Sequence, residues 1–567
     1  MCVSPTARSA GRRLSGNQAL QRAVSAAAFL MVPPLAGVAA LAQATPVTPP
    51  LPEIGATTFT IPVAIMVNGV NTNDGLESGP ETAAIDNNNA SVITGWMGSM
   101  PSSGGTVIIP PGTWYTNEVL LFNDPHENLN VQGTMVAASK SNYSSYDYPF
   151  IYWIYANNDQ ISGSGGGSQG QLYGQGETWW PGSNGPDMVS FYDANTVEVS
   201  NITVTNAPHE HFSFEGSNNN VTFNGVTINS PSTSPQTDGI DPSGNNFLIT
   251  NCNISTGDDD IAIKAGNATS NITITNMTIG TGHGISIGSN TEGGVNNVFV
   301  NNISFTNTAF GFRMKTNADN GGIVQNVSYN NVTMSNVPYP VFISSWYNGS
   351  GFAYGNVANG TFGSTALTFN SVTNGPYTGG VTPVWQNISF NNVTSSWTST
   401  TATGYTHSIA GLLYGLPSSS IQGVNFNNVQ ISAYQGMSLA YAGTGAAPGE
   451  PGGVAVPISF TGNWAINTGT GQQFGTVTNP DNVNVSSSDT AGQNPGSVVY
   501  FNGELPAAYD GPAISPSYTP NYNTWETSNI VDLTLSSVPE PTTVALAVAA
   551  SALMLMCRRR NTAKPGE

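Results

Sequence analysis

From residue 195 the chain alternates apolar and polar positions in short runs, and the runs recur. "NTVEVSNITVTN", "NNVTFNGVTINS", "NNFLITNCNIST", "SNITITNMTIGT", "NNVFVNNISFTN" and "QNVSYNNVTMSN" begin at Asn195, Asn219, Asn245, Ser270, Asn296 and Gln325, which by subtraction gives steps of 24, 26, 25, 26 and 29 residues. "WQNISFNNVTSS" and "IQGVNFNNVQIS" carry the pattern to 432. Period-two alternation predicts strands, and a repeat in the twenties predicts a solenoid whose units bury their apolar sides by stacking. No repeat shows the longer apolar periodicity of a helix, which disfavours leucine-rich repeats. The predicted architecture is all-β, a right-handed parallel β-helix with asparagines stacked at its turns. Those asparagines create many N-x-S/T sequons, read here as ladder positions.

The ends have a different pattern. Arg12, Arg13 and Arg22 precede an apolar stretch that closes in small residues near Ala42 or Ala44, the layout of a secretion signal over residues 1–44. The β-helix domain is expected over 45–432. From 433 to 537 the pattern gives way to Gly, Ala, Ser, Thr, Asn and Pro, read as an irregular closing segment and linker. At 538–567, "VPEPTTVALAVAASALMLMCRRR" joins Pro539, Glu540 and Pro541 to an apolar run and three arginines. It resembles the PEP-CTERM sorting signal of Gram-negative bacteria, which implies an exosortase-type processing enzyme as partner and an exported, extracellular or cell-surface protein.

Composition narrows the chemistry. Cys2 and Cys557 lie in the terminal segments, leaving Cys252 alone in the body, so neither a disulfide framework nor a zinc or thiol site is indicated, and Cys252 is expected in the core. Between Thr45 and Ser537 the only basic residues are Lys140, Lys264, Arg313 and Lys315. They face 30 acids, the chain's 32 less Glu540 and Glu567. Nucleic acid as a partner is excluded on that ground. Yet Arg313 and Lys315 sit two residues apart in "FGFRMKTNADNGG".

In a parallel β-helix, residues one repeat apart stand about 4.8 Å apart on one face. Asp238 in "QTDGIDP", Asp258 and Asp259 in "TGDDDIAIKAG", His283 in "TGHGIS", Arg313 and Lys315 in "RMKT" and Tyr347 in "SSWYN" recur at about that interval and are expected to line one cleft. Crowded carboxylates suit glycoside hydrolysis, which needs one protonated carboxyl and one carboxylate to activate water or attack. An arginine and a lysine beside them suit an anionic sugar.

The ordered set "QTDGIDP", "TGDDDIAIK", "TGHGISIGS" and "RMKT" resembles the polygalacturonases, the pectin-cleaving family 28 glycoside hydrolases. With looser likeness in "SSGGTVIIPPGTWY", "NLNVQGTM" and "LYGQGETWW", it covers roughly residues 65–435. The resemblance implies hydrolysis of α-1,4-galacturonosidic bonds of polygalacturonate with inversion. Asp258 would be the general acid, Asp238 and Asp259 would hold the attacking water, and His283 would support the acid. Arg313, Lys315 and Tyr347 would bind the uronate. It implies no metal or organic cofactor, and a monomer is expected.

Three positions depart from the family pattern: Gln236 for asparagine, Asp260 as a third acid after the aspartate pair, and Met314 for isoleucine. Asp260 leaves the division of roles among Asp258, Asp259 and Asp260 open. Asp241 and Glu292 are read as structural or surface acids, and Lys264 as an ion-pair partner or part of the positive wall. The alternatives are a calcium-dependent pectate lyase on the same fold and a noncatalytic exported surface or matrix protein. The hydrolase reading predicts an acidic optimum.

Overall fold

The computed structural model describes residues 43–122, 125–144, 148–163, 170–180, 185–316, 321–345, 347, 382–398, 408–416, 419–433, 435–440, 458–461, 465–468 and 485–487. Most of the expected secretion signal and the whole of the sorting tail lie outside these residues.

The body is a right-handed parallel β-helix. Among the described residues, one sheet of 21 strands and one of 11 run along it, and both pair in parallel throughout. The 11-stranded sheet carries the chemistry: β1 (Val119–Phe122), β2 (Ile151–Ile154), β3 (Val189–Tyr192), β4 (Phe212–Glu215), β5 (Ile240–Asp241), β6 (Ile261–Ile263), β7 (Ile285–Ile287), β8 (Phe310–Lys315), β9 (Tyr339–Ser344), β10 (Ile409–Tyr414) and β11 (Gln435–Ala440). Ile261 pairs with Ile285 and Ile285 with Phe312, so every second residue of each coil points inward in one file. Inside, Trp153, Phe191 and Phe214 stack in series, and Phe312, Tyr329, Phe390 and Phe426 form a second pile. Met314 belongs to that interior, which makes its replacement of isoleucine a volume-conserving swap. Cys252 is buried there too, as expected.

Across the coil, the asparagines do what the repeat implies. Asn251, Asn276, Asn302, Asn331, Asn392 and Asn428 occupy left-handed turns with φ between 54° and 57°. That conformation is unfavourable for most side chains, and asparagine tolerates it by bonding locally. Their amides link successive coils, as from Asn302 to Asn276 (2.8 Å) and Asn392 to Asn331 (3.1 Å).

Two features go beyond the repeat. Helix α1 (Ala83–Met97) packs Ala90, Ile93 and Met97 against the early coils, with Thr82 capping it by accepting the amide of Ile85. A solenoid needs such a cover for its first coil. The spacing of those three residues and the threonine cap were present in the sequence, outside the repeats. Parallel pairing also continues past 432: β11 pairs with β10, and Ile458–Thr461, Ala465–Thr468 and Val485–Ser487 add further rungs. No helix among the described residues is long and apolar enough to cross a membrane.

Candidate active site

The site lies where the chain enters β4 to β8. In those strands apolar residues point inward; the turns before β5, β6 and β7 carry the aspartates and His283, and β8 itself carries Arg313 and Lys315. Register aligns Ser286 of β7 with Arg313 of β8. Asp238 stands just before β5, the Asp258–Asp260 turn just before β6, and His283 just before β7.

Asp259 is the electrostatic centre. Its Oδ1 accepts from Arg313 Nη1 and Ser286 Oγ, both at 2.7 Å, and its Oδ2 accepts from Lys315 Nζ at 2.7 Å. Burial alone would raise its pKa, but Lys315 and Arg313 hold the carboxyl far below the usual range. Arg313 and Lys315 are themselves buried, with the Tyr347 ring 5.6 Å and 5.0 Å from their charged ends. The centre of the Phe310 ring lies 4.6 Å from the guanidinium carbon of Arg313. Tyr347 is fixed from behind, its amide donating to Thr316 O at 3.0 Å.

Asp258 is the accessible acid: its side chain is 30% exposed, against 1% for Asp259. His283 Nδ1 donates to its Oδ1 at 2.9 Å. Burial pushes the Asp258 carboxyl up, but the hydrogen bond and charge of His283 outweigh this and leave it below the ordinary value.

Asp238 differs. Burial pushes its pKa up to about 6; Lys264 opposes the rise, and Asp258 and Asp259 add to it. Lys264 Nζ lies 3.2 Å from Asp238 and 3.4 Å from Asp241. Lys264 is thus the ion-pair partner of this half, held well above its ordinary pKa because Asp241 and Asp238 overcome the cost of burial. Asp241 is buried and shares that lysine.

Asp260 is turned into the fold, away from its two neighbours in the aspartate run. Fully buried, it accepts from Thr256 Oγ1 and from the Gly284 amide at 2.9 Å. Burial keeps its pKa well above the usual value despite those bonds. Its carboxyl and the Phe310 carbonyl explain the glycines around His283. A Cβ on Gly282, at φ +137°, would meet Asp260 Oδ2 at 2.4 Å; one on Gly284, at φ +73°, would meet Phe310 O at 2.1 Å. The two glycines let the turn close on Asp260 and present the imidazole to Asp258. Gln236 sits at φ +54°, a left-handed position that asparagine fits better.

All seven residues expected at the site are thus gathered on adjoining coils. Sequence reading missed a second group one coil earlier. His211, wholly buried, donates from Nδ1 to Asp238 O (2.9 Å) and meets Ser230 Oγ through Nε2 (2.9 Å); burial lowers its pKa to about 4, so it is neutral and positions Asp238. His209 Nδ1 lies 2.9 Å from Asp187 and 3.2 Å from Glu210. Burial disfavours its charge, yet these carboxylates raise its pKa to about 11. The signal was two of the chain's five histidines in "PHEHF".

Among the described residues, three sets offer a metal three ligand atoms: Asp187, His209 and Glu210; Asp258, Asp259 and His283; and Glu210, Asp238 and Asp241. Each already contains or touches a side-chain cation or imidazole donor, so a metal would have to displace an existing partner.

Residues 122–377 match the family model of the glycosyl hydrolases family 28. A probable polygalacturonase of Arabidopsis thaliana is 33% identical over 277 residues, 47% of this chain and 59% of that relative. An endo-polygalacturonase of Pectobacterium carotovorum is 40% identical over 168 residues, 29% of this chain and 41% of the relative. The chain spans about half the length of the curated relatives it matches. Among solved structures, a polygalacturonase from Erwinia carotovora aligns with TM-score 0.52 and 25% identity over 69% of this chain and 96% of its own. An exopolygalacturonase from Thermotoga maritima shares the fold at TM-score 0.52 and 18% identity, covering 75% and 95% of the two chains.

Proposed function

We propose that this chain is an exported glycoside hydrolase that cleaves α-1,4-galacturonosidic bonds of pectin by single displacement with inversion. The observation that carries this reading is the pairing of an accessible acid, Asp258 held by His283, with a buried carboxylate, Asp259 locked between Arg313 and Lys315. The family match and the polygalacturonase relatives support it.

In this mechanism Asp259 stays ionised and, with Asp238, orients the attacking water. Asp258 donates to the leaving oxygen. Free of substrate its pKa is low, so it takes up its proton as the sugar covers it, because exclusion of water and an approaching uronate carboxylate both favour the neutral form. Arg313 and Lys315 bring two positive charges to this side of the cleft, and these hold the uronate. Tyr347 closes the same side.

The N-terminal basic-apolar pattern and the PEP-CTERM-like tail support export and processing by an exosortase-type enzyme, with the mature protein outside a Gram-negative cell. The decisive experiment is product analysis on demethylated polygalacturonate, with and without chelator, for the wild type and Asp258→Asn. Saturated reducing ends that form in chelator and vanish in the variant are expected. Unsaturated products lost on chelation would instead indicate a lyase, and no product from any pectic polymer would favour a noncatalytic surface protein.

A further inference from the structure

The turns that lead into the cleft strands carry a file of acids longer than the site described above, and the inference drawn from it rests on the hydrolase reading. Val189, Phe212, Ile240, Ile261 and Ile285 are register partners on the successive coils of β3 to β7. Two residues before each of them stand Asp187, Glu210, Asp238, Asp259 and His283. The backbone keeps that register through the turns: the amide of Met188 donates to Glu210 O at 2.9 Å, that of His211 to Asp238 O at 2.8 Å and that of Gly239 to Asp259 O at 2.8 Å. Carboxyl side chains therefore follow one another at about the 4.8 Å rung, and the file runs on past Asp238 to two acids that the reaction as described does not use.

Glu210 is the link. A carboxyl oxygen of Glu210 lies within 4.8 Å of ligand atoms of Asp187 and His209 on one side and of Asp238 and Asp241 on the other. Asp187 and His209 hold it: His209 Nδ1 is 3.2 Å from Glu210 and 2.9 Å from Asp187, whose Oδ2 accepts from Ser213 Oγ at 2.6 Å. Asp238 is only 7% exposed, whereas the Glu210 and His209 side chains are 26% and 24% exposed, so the file reaches solvent at its Glu210 end. Burial, helped by Asp187 and opposed by His209, raises the Glu210 carboxyl to about 7, and burial raises Asp238 to about 6. Carboxyls so closely matched exchange a proton at little cost. Beside them one oxygen of Asp241, a residue 4% exposed, has no hydrogen-bond partner, which leaves an acceptor open next to this pair.

Hydrolysis with inversion has a proton to dispose of. The attacking water bonds to the sugar carbon and loses one proton, while Asp258 gives its own to the leaving oxygen. Despite burial, Lys315 and Arg313 hold Asp259 far below the usual range, which makes it the poorer acceptor; Asp238 is the better one, but it is buried and the sugar lies over it. We propose that Glu210 is a positioning residue of this reaction, one that fixes the Asp238 carboxyl and carries the proton taken from water out of the covered cleft. The O–H bond of water breaks as its proton passes to ionised Asp238. Asp238 then hands that proton to Glu210 as Glu210 releases its own to solvent beside Asp187 and His209, and both carboxyls end as they began.

The test is steady-state kinetics of the purified protein on demethylated polygalacturonate at acidic pH, with Glu210→Gln and Glu210→Asp. Glu210→Gln keeps the size of the side chain but cannot carry a proton, so kcat should fall about tenfold or more while KM and the thermal midpoint hold. Glu210→Asp should keep much of the rate. Added formate, a small carboxylate that can ferry protons, should raise kcat of Glu210→Gln with its concentration and leave the wild type unchanged. Repair by either route upholds the proposal. An unchanged kcat in Glu210→Gln overturns it, as does a loss that neither the aspartate variant nor formate repairs, which is what a packing role alone would give. If the wild type cuts no pectic polymer, the hydrolase reading fails separately. Carbon-13 NMR of the carboxyl groups then decides the link between the two acids: an Asp238 titration displaced by Glu210→Gln upholds it, and an unmoved one overturns it.

Discussion

The asparagine turns and the cleft are built on the same coils, but they obey opposite rules. At the turns one residue type repeats, and its side-chain amides bond asparagines of the neighbouring coil, as from Asn302 to Asn276, Asn331 to Asn301 and Asn392 to Asn331. At the cleft each coil contributes something different: Asp238, then Asp258 and Asp259, then His283, then Arg313 and Lys315. Repetition spreads stability over many equivalent contacts, whereas the cleft concentrates charge in a few buried groups whose partners are irreplaceable. The difference teaches that in this solenoid function resides where the repeat is broken.

The sharpest way to break that contrast is Asp259→Ala, which strands Arg313 and Lys315 in the interior without their shared counter-charge. Activity should vanish, and denaturant titration should register a loss of about 3–5 kcal/mol; an unchanged midpoint would mean that the cleft is not energetically concentrated. Asp258→Asn is its counterpart at a partly exposed position. Initial rates should drop about a thousandfold with the thermal midpoint kept, separating an acid that acts on substrate from one that also holds the fold. Gly284→Ala comes next. Its Cβ would run into Phe310 O at a left-handed φ, and calorimetry should show a loss of about 2 kcal/mol or more.

The pH profile is a gentler probe. Cleavage needs a proton on Asp258, whose carboxyl, despite burial, His283 holds below its ordinary value before substrate binds, so kcat/KM should fall as pH rises out of the acidic range, approaching about tenfold per unit. A flat profile into alkaline pH would remove the acid from the mechanism. Smallest of all is Asn302→Ala at the turns, which forfeits one amide bond to Asn276 and a favourable left-handed residue. It should cost about 1 kcal/mol by denaturant midpoint and leave kcat/KM untouched; a large effect there would deny the ladder its redundancy.

Much of this was legible from the chain alone, for a physical reason. In a parallel β-helix, sequence spacing maps onto spatial neighbourhood through the 4.8 Å rung, so the recurrence of apolar pairs and asparagines determined the fold, and the interval between Asp238, Asp258, His283 and Arg313 determined that they meet. What spacing cannot carry is depth and partner choice. The three consecutive acids Asp258, Asp259 and Asp260 look equivalent in sequence. Tertiary structure made one accessible, locked one between two cations, and sank one beneath Gly284, because adjacent residues at a turn point in different directions. The same holds for His209, His211 and Glu210, whose pairing with Asp187 and Asp238 is set by which coil lies next to them. Helix α1 and the rungs beyond residue 432 also needed the fold. They answer the demand of an exposed solenoid core for cover and continuation, and the repeat does not write that demand into any one segment.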